Sequence, residues 1–322
     1  MHPAFSVIFL TTLIGVGQGL FLALFTVESY AAFDLLPRQS DGFYAMGSAV
    51  AMAFLVGGLI ASFFHLGRPE RAWRAATQWR TSWLSREVLV LPAFMGTVVL
   101  YGAAHWLGIN PVLALLPTGA PVNLTAVFGV VGSLLAFTLF VCTGMIYACL
   151  RFLREWHTPL TVINYILLGG ASGFTLAAAL AAAMAADVAN FLTGWAAAIT
   201  LMALVGRSAS LWRNARLKPK STLQSALGIK HPQIQQKTQG SMGGSFNTRE
   251  FRHGAGLAAL RNIKWFLLVA TFALPLLLMP LAGGWLEITL IFAVQYAGLL
   301  AERWFFFAQA NHPQNLYYQS VA

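Results

Sequence analysis

Charge and cysteine are the scarcest features of this 322-residue chain. Only 9% of its residues are charged against 58% hydrophobic, whereas soluble domains carry about 25% charge. A separate soluble catalytic domain is thereby excluded. The two cysteines, Cys142 and Cys149, lie seven positions apart in one apolar run. They are too few for an iron–sulfur cluster and too far apart along a helix for a disulfide, so both are expected to be packing residues. No zinc motif or phosphate-binding loop occurs, and no metal site is expected. Acidic residues are scarce too, 10 against 20 basic, for a net charge of +10. In a chain this apolar, that excess reads as topology rather than as a nucleic-acid surface, because membrane proteins gather Lys and Arg in cytoplasmic loops.

What is abundant is long apolar runs. A membrane-spanning helix needs roughly 20 such residues. Runs of that kind lie near 5–27, 43–65, 87–108, 123–149, 160–184, 187–206, 264–283 and 285–307. The expectation is an all-α, polytopic bundle of about eight transmembrane helices, with residues 1–322 forming one membrane domain. The opening Met1-His2-Pro3-Ala4 leads straight into the first run without a basic segment or a cleavage site, so that helix is expected to be retained. Gly170, Gly173 and the alanines around them suit close helix packing.

The basic residues are distributed unevenly among the loops. Arg68, Arg71, Arg74, Arg80 and Arg86 fall in or beside the second, Arg151 and Arg154 in the fourth, and Arg207 through Lys264 around the sixth; Arg38 alone lies opposite. The even loops and both termini are therefore expected to be cytoplasmic. Trp83, Trp156, Trp265 and Trp304 mark inner helix ends, and Trp106 and Trp285 outer ones. Residues 66–86 read as an interfacial loop, with Arg71, Trp73, Arg74 and Trp79 on a short helix along the membrane surface. Residues 207–263 read as a long basic cytoplasmic loop, either a tether or an ordered docking surface.

The stretch from His65 to Glu87 is the most informative. His65 ends the second run and Glu87 opens the third, so both stand at the boundary, partly desolvated yet able to exchange protons with water. That suits a proton relay; the plainer reading of the neighbouring arginines and tryptophans is anchorage of helix ends. Gln18, about four turns into the first run, is an amide in hydrocarbon that must find a partner, whether another helix or a ligand. Glu302 and Arg303 are expected to pair structurally. His105, near the outer end of the third run, is expected to have no ionisable neighbour and to be structural. Because His65 and His105 fall at opposite faces, no bis-histidine haem is expected.

The pattern His65-Leu66-Gly67-x-Pro69-x-Arg71-Ala72, followed by Ser85-Arg86-Glu87, resembles the anchor subunits of the dimethyl sulfoxide reductase family. The resemblance extends to Gly17-Gln18 on the first helix and to Glu302-Arg303 on the last. Within that family, His2-Pro3-Ala4-Phe5-Ser6, the segment Arg154 to Thr161 and the stretch Gly243 to Phe251 are most similar to the anchor type of the cytoplasm-facing sulfite dehydrogenases.

The resemblance implies a bacterial inner-membrane subunit that holds a molybdopterin catalytic subunit and an iron–sulfur electron-transfer subunit. Those cofactors would lie in the partners only. This chain would exchange electrons with a quinone, ubiquinone or menaquinone, near His65 and Glu87, with Gln18, Arg71 and Ser85 as further contacts. Arg68, Arg74, Arg80 and Arg154 would meet the partner or lipid headgroups. Two rivals stand beside this reading: a quinol-oxidising anchor of a sulfoxide or polysulfide type reductase, which the same residues would serve, and a small-anion transporter. The transporter would show ionisable groups near the bilayer midplane and broken helices.

Overall fold

The computed structural model describes residues 4–64, 66–115, 117, 121–184, 186–218, 222–234 and 257–310. His65, the opening His2-Pro3 and most of the expected 207–263 loop, including Gly243 to Phe251, lie outside the described residues.

Among the described residues, eight segments are long and apolar enough to cross a membrane. Six are single helices: α1 (Phe5–Ala32), α2 (Asp41–Phe63), α3 (Trp83–Trp106), α4 (Leu124–Ala148), α5 (Pro159–Ala183) and α6 (Ala189–Ala215). A one-turn helix α7 (Leu223–Leu227) follows. The seventh span is composite, α8 (Leu257–Leu268), a π-helical turn (Val269–Ala273) and α9 (Leu274–Leu278), and α10 (Trp285–Gln309) is the eighth. Serial crossings place the α2–α3, α4–α5 and α6–α8 connections at one end, the basic end. Besides the helices, the described residues include a small antiparallel hairpin at the other end, Val112–Leu115 with Pro121–Asn123, which the all-α expectation omitted.

The bundle is organised around α1 and α5, the two most enclosed helices, which pack on each other. Their crossing is made of glycine. A Cβ on Gly19 would collide with the Gly169 backbone, and one on Gly173 with the backbone of Gly19 and Leu20. Lipid tails are as apolar as leucine, so close backbone approach and dispersion hold such helices together. Gly170, singled out from the sequence, faces Ile199 of α6 instead.

The broken seventh span has a local cause. Pro275 has no N–H to give to the Thr271 carbonyl one turn back, and its ring crowds that position, so the ladder widens into the π-turn. Gln295 of α10 donates to the Thr271 carbonyl at 3.4 Å, returning a partner to a group that hydrocarbon cannot solvate.

Three helix ends differ from expectation for one reason, a charge read as a boundary. The sixth helix continues through Arg207 to Ala215 rather than ending at 206, and the seventh begins at Leu257, so the connection between them is shorter than 207–263. Arg207 can sit inside the bundle because Glu302 neutralises it, Nε to Oε1 at 2.8 Å. The third helix likewise starts at Trp83, ahead of Arg86. Ser82 caps it by accepting from the Ser85 N–H.

Candidate functional site

At the basic end, a narrow cavity opens among α1, α3, α4, α5 and α10. Its walls are mostly apolar, Leu10, Ile14, Phe140, Leu168 and Leu299 among them. The polar side chains that interrupt them are Gln18, Glu87, Thr143, Tyr165 and Arg303, with Thr11 and Thr12. A mostly apolar space with a few converging polar groups is the usual form of a small-molecule site.

Each polar group arrives from a different helix. Glu87 stands on the second turn of α3, only 9% exposed, and accepts from the Thr143 hydroxyl of α4 at 2.5 Å. Gln18 on α1 donates from Nε2 to the Ala136 carbonyl of α4 at 2.8 Å. Gln18 therefore ties two helices, and it also lines the cavity. Arg303 on α10 donates to Glu302 at 2.5 Å and lies over the rings of Tyr165 and Phe306, 4.0 and 5.2 Å from their centroids. Aromatic faces and a carboxylate make a buried guanidinium tolerable.

An aromatic cluster floors this end. Tyr147, Trp156, Tyr165, Phe306 and Phe307 pack on one another at centroid distances of 5.2 to 6.0 Å. Trp156 donates to the Phe306 carbonyl at 2.9 Å and is buried, so it locks α10 to the α4–α5 turn rather than sitting at the headgroup level expected of it.

Of the residues singled out from the sequence, Gln18 and Glu87 meet at the cavity, and Ser85 is buried close before Glu87 at the start of α3. His65 lies outside the described residues. Arg71 is half exposed, 3.9 Å from Glu70, on a 3-10 helix (Pro69–Gln78) that buries none of its residues and does not border the cavity. Arg68, Arg74 and Arg80 are exposed on and around that helix, and Arg86 ties it down through Trp79 and Arg80 carbonyls at 2.9 and 2.8 Å while stacking on Trp83. Arg154 donates to the Lys218 carbonyl at 2.6 Å, so it joins the α4–α5 turn to the end of α6. Thr143, Tyr165 and Arg303 were not assigned to the site from the sequence, because threonine and tyrosine in a spanning helix give no signal of their own and Arg303 has a structural partner beside it in Glu302.

The opposite end holds a second polar cluster, and it corrects the reading of His105. That residue has two ionisable neighbours: its Nδ1 lies 2.8 Å from Asp41 Oδ1 and its Nε2 3.7 Å from Glu28 Oε1. Glu28 also accepts from the Tyr101 and Thr125 hydroxyls at 2.7 and 2.5 Å. The partners come from α1, α2, α3 and α4, which sequence proximity could not reveal. Among the described residues no group of three or more His, Cys, Asp or Glu side chains is arranged to hold a metal.

The family model described as DMSO reductase anchor subunit (DmsC) matches residues 1–309. The chain is also 57% identical, over the whole length of both proteins, to a sulfite dehydrogenase subunit of Allochromatium vinosum.

Proposed function

The chain belongs to the DMSO reductase anchor subunit family, and from that premise we propose that it is the quinone-reacting anchor of a sulfite-oxidising molybdenum enzyme in the bacterial inner membrane. As an anchor subunit it has catalytic and electron-transfer partners. In this reading they are a molybdopterin subunit that oxidises sulfite and an iron–sulfur subunit docked on the basic end, which faces the cytoplasm. The observation that carries the quinone assignment is the cavity at that end, where Gln18, Glu87, Thr143 and Arg303 converge within apolar walls.

A quinone takes up two electrons and, at its two oxygens, two protons. The residues present fit such a guest. Arg303 Nη1 is buried without a hydrogen-bond partner among the described residues, and a carbonyl oxygen would supply one. Glu87, oriented by Thr143, is the group that holds or passes a proton inside the cavity, and His65, from its place in the sequence, is the proposed second member of that relay. The leucines and Phe140 receive an apolar ring and exclude bulk water. Arg68, Arg74 and Arg80, exposed beside Trp73 and Trp79, suit contact with the partner subunit or lipid headgroups. With substrate, electrons and protons all on one side, the reaction moves no net charge across the membrane.

The test is affinity purification of this chain in mild detergent, mass spectrometry of what comes with it, and sulfite-dependent quinone reduction by the eluate. Co-purifying molybdopterin and iron–sulfur subunits are expected, with quinone turnover falling by about 100-fold in Glu87→Gln and in His65→Ala. Turnover unchanged in both variants would reduce the chain to a structural anchor, and a chain that purifies alone would favour the transporter.

A further inference from the structure

Arg303 borders two cavities. Besides the Glu87 cavity it lines a second, smaller one together with Glu155, Asn164, Arg207, Ser210 and Asn214. Glu155 and Asn214 belong to the basic end, in the α4–α5 turn and the last turn of α6. Asn164, Ser210 and Arg207 lie one to two turns deeper. The space thus leads inward from the basic end to the Arg207–Glu302–Arg303 cluster, and Arg303 forms part of the wall of the Glu87 cavity beyond.

The polar atoms along it are short of partners. Asn164 donates to Ser210 Oγ at 2.8 Å, yet its Oδ1 accepts nothing among the described residues, and Arg207 Nη2 is likewise buried without a hydrogen bond. Buried polar atoms are nearly always satisfied, and in a polar cavity ordered water does it. Toward the other end the bundle is sealed. Between Gln18 and Glu28 the side chains of Leu20, Phe21, Leu24, Phe94 and Val98 have no exposure at all.

We propose that this second, polar cavity is a proton inlet, admitting protons at Glu155 and carrying them past Asn164 and Ser210, by way of water held on its unpartnered polar atoms, toward the ion cluster and the Glu87 cavity. The assignment of its purpose rests on the quinone reading. For each quinone reduced, two electrons arrive from the iron–sulfur partner and two protons from the cytoplasm; both protons end on the quinone oxygens, giving quinol. Arg207 holds the water and Glu302 stays paired with the two arginines, while water molecules and the Glu155 carboxylate carry the proton.

Two measurements test the inlet. In the purified complex in lipid nanodiscs, Ser210→Leu, which fills the space, is expected to lower quinone turnover by about tenfold or more with the KM for quinone unchanged. Ser208→Leu, on an exposed face of the same helix, is expected to turn over like the unaltered complex. Equal turnover in both variants would overturn the path. Should Ser210→Leu not assemble, brief X-ray hydroxyl-radical footprinting of the unaltered complex decides. Phe306, buried but bordering the inlet, should be oxidised several times faster than Phe21 in the dry core, and equal rates would overturn the proposal. Failure of the quinone reading shows separately, as no labelling of the Glu87 cavity by a photoreactive quinone.

Discussion

Arg207 Nε and Glu302 Oε1 lie 2.8 Å apart with almost no exposure of either side chain, and Arg303 reaches the other carboxylate oxygen of Glu302 at 2.5 Å. One carboxylate therefore pairs with two guanidinium groups from two helices, within the membrane-spanning part of the bundle. Removing one partner of a buried ion pair leaves an uncompensated charge and costs about 3–5 kcal/mol.

Glu302→Gln is accordingly expected to be strongly destabilising although the shapes are the same. Unfolding in detergent followed by intrinsic fluorescence should show a midpoint lower by several degrees, and Arg207→Met should be milder because Arg303 keeps its carboxylate. A Glu302→Gln protein as stable as the original would mean that Glu302 is not ionised in the cluster.

The α1–α5 crossing gives a second expectation. A methyl at Gly19 or Gly173 meets backbone that cannot rotate away, and overpacking of this kind costs about 1–3 kcal/mol. Gly19→Ala and Gly173→Ala should each lower the thermal midpoint. Gly96→Ala, where nothing lies within 4 Å, should leave it unchanged or raise it slightly, since alanine favours helix. Equal effects at all three positions would argue against the close crossing.

The two polar clusters are expected to respond differently to substitution. Asp41 is 64% exposed at its side chain while His105 is 4% exposed, so their contact is partly screened, and Asp41→Asn should cost no more than about 1 kcal/mol. His105→Leu should cost more, because it removes the group that joins Asp41, Glu28 and the stacked Tyr44 ring. Neither should alter quinone turnover per assembled complex, since both sit at the far end from Glu87. Loss of turnover in stable Asp41→Asn complexes would place this cluster in the reaction.

How much of this was legible in the sequence depends on how far each group's partner lies along the chain. The spans were legible, because an apolar run between polar segments carries its own signal and needs no partner. Arg207 was misread as a boundary and His105 as isolated, because the carboxylates that satisfy them sit on other helices. Glu87 and Gln18 could be picked out, since a carboxylate or an amide at the edge of hydrocarbon is rare enough to be conspicuous. Thr143 could not. Threonines in these helices mostly bond their own carbonyls a turn back, as Thr12 and Thr138 do, and nothing in the sequence separates the one that reaches across to Glu87. The π-turn was hinted at only by Pro275, while the group that compensates it, Gln295, is on α10.

Orientation rests on loop charge, and the two cysteines offer a direct measurement of it. Cys149 is exposed where α4 ends at the basic end, two residues before Arg151, whereas Cys142 is buried two turns deeper. A membrane-impermeant maleimide should therefore find one thiol and not the other. If the basic end is cytoplasmic, inverted membrane vesicles should be labelled and right-side-out vesicles should not, and Cys149→Ser should abolish the labelling. Labelling of right-side-out vesicles that is lost in Cys149→Ser would put the basic end outside. The partner subunits would then face the periplasm, protons for quinone reduction would come from that side, and the sulfite-oxidising reading would lose its cytoplasmic premise.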